Sequence, residues 1–145
     1  MLYDTGVSQP GSAWTDQHSA QGFIRRDGVV CFGTLLECGT AHVEIIHGDY
    51  VSGEFERVIR CPIHVTSGSV WVTGPEIWPE PSDYRVLLSP GLFAVTCAQS
   101  VSGDDELRVA LYFHSTDITH SRILVADPDL RPCFPLLETG EVAIP

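Results

Sequence analysis

Residues 56–68 read ERVIRCPIHVTSG, and the fold is decided by how this stretch is taken. With Glu54 and Phe55 before it, it alternates as far as Thr66 with a period of two, the signature of a β-strand. Phe55, Ile59, Cys61, Ile63 and Val65 fall on one side, with Arg57 the one polar interruption. Glu54, Glu56, Arg60, His64 and Thr66 fall on the other. Pro62 sits inside the run and cannot donate a ladder hydrogen bond. Such a strand belongs at a sheet edge or carries a bulge, so residues 55–66 are expected to be an edge or bulged strand.

The same period recurs on both sides. DGVVCF (27–32) follows an Asp-Gly turn signal, and AHVEIIH (41–47) sets Val43 and Ile45 against His42 and Glu44. Ser67-Gly68 turns the chain into SVWVT, and Pro90-Gly91 reads as a hairpin turn between YRVLLS and LFAVTCA. LRVALYFH (107–114) points Leu107, Val109, Leu111 and Phe113 inward, and RILVAD adds one more short strand. A single short helix is expected within WTDQHSAQGF (14–23), capped by Thr15 or Asp16 and ended at Gly22. The expected fold is all-β: an antiparallel β-sandwich, or a partly open barrel, of about eight strands with one short N-terminal helix. Residues 1–13 read as an extended arm, and 127–145 as a proline-punctuated segment wrapping the surface. The proline-rich loop GPEIWPEPSD (74–83) excludes helix and central strand.

The chain has 145 residues, which points to one domain large enough to bury a core without staples. Its 19 acidic residues outweigh eight arginines, with no lysine, for a net charge of -11. A field of that sign repels nucleic acid and anionic membranes and favours a cationic partner. Five cysteines are present without a C-x-x-C pair. They read as small apolar residues of a protein kept reduced. MLYDTGVSQPGS has neither a basic nor an apolar leader region, so a cytoplasmic location is expected.

The residues offer no catalytic constellation. His18, His42, His47, His64, His114 and His120 include no H-x-H or H-E-x-x-H spacing, and His64 and His114 stand on polar strand faces. No nucleophile elbow or phosphate loop occurs. Neither cofactor nor metal is expected, and no enzyme activity. The acidic residues carry more information. Glu54 and Glu56 share a strand face, Glu76 and Glu80 flank Trp78 in the proline-rich loop, and Asp104, Asp105 and Glu106 fill a loop between strands. Together they are candidates for a partner-binding surface, with Trp78 as an aromatic anchor. The alternative is a small-ligand or protein-binding module whose pocket is lined by Trp71, Tyr84 and Tyr112.

Five patterns in fixed order, WTDQHSAQGF, DGVVCF, ERVIRCPIHVTSGSVWV, YRVLLSPGLFAV and TC (96–97), give the chain a resemblance to the competence protein J family. The resemblance spans roughly residues 14 to 100, with LRVALYFH and the C-terminal segment outside it. It implies an inhibitor that binds and blocks a DNA-entry nuclease, a protein partner, and no catalysis or cofactor.

Overall fold

The computed structural model describes residues 1–74 and 84–144. Along them the chain runs β1 (Leu2–Asp4), β2 (Ser12–Ala13), α1 (Asp16–Gln21), β3 (Phe23–Arg26), β4 (Val29–Phe32), β5 (Thr40–His47), β6 (Arg57–Val65), β7 (Ser69–Val72), β8 (Tyr84–Leu87), β9 (Gly91–Gly103), β10 (Glu106–Ser115), β11 (Arg122–Val125) and β12 (Glu141–Val142). Two five-stranded sheets form, one in the order β3-β4-β1-β7-β8 and the other β11-β6-β9-β10-β5, with β12-β2 as a small third. The first is antiparallel throughout. The second is antiparallel except that β5 runs parallel to β10. The fold is all-β, as expected, with one parallel pair that alternation could not reveal.

The sheets pack face to face. Leu2, Phe23, Val30, Val70 and Val86 of the first meet Ile59, Cys61, Ile63, Val95, Leu111 and Phe113 of the second in one core cluster. Phe23, Ile24, Ile59 and Ile63 are almost wholly buried. Each contributes roughly 1.5–3 kcal/mol of apolar burial.

Three expectations change. The arm at 1–13 contains β1, a buried central strand between β4 and β7. Three residues are too few to display a period. Pro90-Gly91 is not a hairpin turn, because β8 pairs with β7 while β9 pairs with β6 and β10. It carries the chain from one sheet to the other, as Ser67-Gly68 does between β6 and β7. Buried Asp4 braces that second corner, accepting from the backbone N–H of Thr66 and Ser67 at 2.6 and 3.0 Å and of Gly6 at 2.8 Å. Burial alone would raise its pKa, but those N–H groups and the Ser67 hydroxyl together hold it below the ordinary value.

Pro62 gives the third. β6 pairs with β9 along its full length without a register shift, so Pro62 makes no bulge there. On its other side β11 reaches only Val58–Arg60, and the shift in that ladder lies in β11. β6 is therefore interior in its first half and an edge in its second, where Pro62 stands.

Helix α1 forms as expected. Thr15 is the N-cap and its hydroxyl accepts from the His18 N–H, while Gly22 at φ 81° ends the helix. His18 closes the capping box in the position Glu or Gln usually takes. Its Nδ1 accepts from the Thr15 N–H at 3.2 Å, which leaves Nε2 to donate to the Thr139 carbonyl, also at 3.2 Å.

The C-terminal segment is tied to the rest of the chain by specific contacts. Buried Gln21 donates to the Leu137 carbonyl and accepts from its N–H, both at 2.9 Å. Arg25 Nε meets Glu138 at 2.7 Å, and Arg131 N–H donates to the Ala20 carbonyl. Arg57, the polar interruption of β6, forks onto buried Asp127.

Candidate partner-binding surface

The acidic residues come together through the β9–β10 hairpin. Asp104 and Asp105 are its turn, and Glu106 opens β10 opposite Gly103. The start of β5 docks against this turn, where the Thr40 N–H donates to the Asp105 carbonyl at 2.8 Å. Gly39 precedes it at φ 132°, and a Cβ there would collide with the Asp105 backbone. Only glycine fits this approach. Glu56 is fastened to the same hairpin. Its N–H donates to the Gln99 carbonyl at 2.9 Å, and its Oε2 accepts from the Val101 N–H at 2.7 Å. Glu54 is exposed two residues earlier. Five expected residues, Glu54, Glu56, Asp104, Asp105 and Glu106, thus stand exposed at one end of the second sheet. Glu76, Trp78 and Glu80 lie outside the described residues.

Residues 48–56 lie over the outer face of that sheet. Tyr50 is edge-on to Tyr112 at 5.5 Å and to Phe55 at 6.4 Å, above Val58, Ala98 and Ala110. Phe55 therefore packs on the face opposite Ile59, contrary to its alternation. β6 begins only at Arg57, so the strand period does not reach residue 55. Arg108 lies over the Phe55 ring at 5.0 Å and 3.9 Å from Glu44. Arg60 meets Asp49 at 2.8 Å. Next to the hairpin, His42, Val43, Glu44, Ser102 and Arg108 line an open depression of about 350 Å³.

The histidines do not converge. His42 pairs with Arg108, six residues along β10 from His114, a separation of about 20 Å. His64 lies 3.9 Å from Asp27, and His114 lies 3.5 Å from Asp49. Among the described residues no group of three or more His, Cys, Asp or Glu could hold a metal ion. The alternative aromatic pocket is not assembled either. Trp71 and Tyr84 belong to the first sheet, and Tyr112 to the outer face of the second. Cys31, Cys61 and Cys97 are buried and unpaired, with burial raising each thiol and Cys97 pushed up to about 12.

Tyr50, Arg108 and the exposure of most of β5 escaped the sequence reading. AHVEIIH showed its alternation, but its place at the sheet's end is a property of pairing.

The fold and this surface define a two-sheet β-sandwich protein with one acidic end. The chain belongs to the Competence protein J (ComJ) family, whose family model matches residues 1–114. The match takes in β10 and so reaches beyond the span of the sequence resemblance. Among solved structures, ComJ from Bacillus subtilis, inhibitor of the DNA degrading activity of NucA, is similar at 18% identity, with a TM-score of 0.58. The likeness covers 77% of this chain and 84% of that one. No curated protein matches.

Proposed function

We propose that this chain is a protein inhibitor of a nuclease, acting by occupying the enzyme's nucleic-acid-binding surface and performing no catalysis itself. Family membership over residues 1–114 carries the reading, because the solved relative inhibits the DNA degrading activity of NucA. The acidic end supports it physically. A nuclease must present positive charge to phosphates, and Glu54, Glu56, Asp104, Asp105 and Glu106 offer negative charge in their place. The net charge of -11 speeds encounter with such a partner and disfavours contact with nucleic acid or membrane. The buried thiols suit a reducing compartment such as the cytoplasm.

The test is a DNA-cleavage assay with purified NucA at low salt and a stoichiometric excess of this protein. Cleavage is expected to stop, and the inhibition constant to weaken as salt is raised. Undiminished cleavage under those conditions would remove the reading.

A further inference from the structure

β5 is the end strand of its sheet, and its ladder shows which backbone groups are spent. Thr40 N–H donates to the Asp105 carbonyl and Gly48 N–H to that of Phe113, in register with the parallel pairing from Thr40–Glu106 to His47–Phe113. The parity of a parallel ladder then turns Thr40, His42, Glu44 and Ile46 toward β10. Ala41, Val43, Ile45 and His47 point their N–H and C=O groups away from it. Among the described residues those groups have no partner. The eight residues run without a register shift over about 26 Å. All are exposed or half-exposed, Val43 by 47%. Proteins ordinarily protect such an edge with proline, lysine, a bulge or a covering loop, and β5 contains none of the first three.

The flanking charge selects the occupant. Glu44, Asp104, Asp105 and Glu106 border the strand, and Arg108 stands 3.9 Å from Glu44. A second copy would bring the same acidic border and another -11. We infer that β5 is a docking strand for an extended, arginine- or lysine-bearing segment of the protein partner, which joins the sheet by backbone hydrogen bonds to Ala41, Val43, Ile45 and His47. This rests on the nuclease reading for the partner's identity and adds how that partner is held.

The probe is an octapeptide alternating Arg and Val, titrated into the isotope-labelled full chain, with an alternating Glu–Val peptide as control. Amide exchange at Ala41, Val43, Ile45 and His47 is expected to slow at least tenfold with the Arg peptide, and not with the Glu peptide. Protection of another segment, or equal protection by both peptides, would overturn the inference. So would a dimer of the free protein that protects the same amides. Val43→Pro deletes an outward N–H and leaves the β10 ladder intact, so it is expected to fold, to lose peptide binding and to inhibit NucA at least tenfold more weakly. Inhibition by Val43→Pro equal to that of the unaltered chain overturns the edge as the docking strand and leaves the nuclease reading standing. Failure of the unaltered chain to inhibit NucA strikes that reading alone, and the peptide measurements still decide the edge.

Discussion

Arg57 and Asp127, 70 residues apart in sequence, form a buried two-pronged ion pair, Nε to Oδ2 at 2.5 Å and Nη2 to Oδ1 at 3.1 Å. Arg57 Nη1 also donates to the Gly33 carbonyl at 3.2 Å, so β6, the β4–β5 connection and the C-terminal segment meet at one guanidinium. Asp127→Ala should destabilise the protein by about 3–5 kcal/mol, because it strands a buried charge. Replacing both partners by apolar residues of similar volume should cost much less. Urea unfolding of the two variants measures the difference.

Acid should unfold the protein through its held carboxylates. The Arg57 fork, opposed by burial, lowers the pKa of Asp127. Burial raises Glu138, but Arg25 and Ser121 outweigh it, and Asp4 is lowered by its corner N–H groups. A carboxyl whose folded pKa lies below its unfolded value stabilises the fold above the unfolded value, near 4. That stability is lost as pH falls through the folded pKa. The urea midpoint should be flat from neutrality to about pH 5 and fall below it. Asp4→Asn should lower the midpoint at neutral pH and make the acid slope shallower.

Gln21→Ala should loosen the C-terminal segment. It leaves both polar groups of Leu137 without the amide that satisfies them, a loss of roughly 1–3 kcal/mol. Limited proteolysis should then cut within residues 127–144 before the sheets open.

Charge reversal at Glu54, Asp104 and Asp105 together should slow association with a basic nuclease about tenfold while the melting temperature stays within a few degrees. Glu56 is a poorer probe, since its carboxylate also holds the Val101 N–H. Stopped-flow binding at low and high salt measures the rate.

Thiol accessibility checks the packing. Cys38 and Cys133 are exposed, whereas Cys31, Cys61 and Cys97 are buried. A chromogenic disulfide reagent should titrate two thiols quickly in the native protein and all five after denaturation.

The opening stretch shows how far sequence reaches. Residues 57–65 are a strand because their side chains alternate, and that much is legible locally. That Val58 is buried on the face holding Arg60 is not, since residues 48–56 and β11 come from elsewhere to cover it. Likewise β1 was hidden by its length, and Pro90-Gly91 named a turn without saying which sheet the next strand would join.

The sequence by itself determined the strand-forming segments, the capped helix at Thr15 and Gly22, the acidic balance and the family. Each is written in neighbouring residues or in composition. Only the tertiary structure decided that β5 ends a sheet, that Glu56 is fastened to the hairpin whose turn is Asp104 and Asp105, and that Asp127 neutralises Arg57. Those are long-range pairings. Their free energy comes from groups brought together by the burial of the whole core, and no local period encodes them.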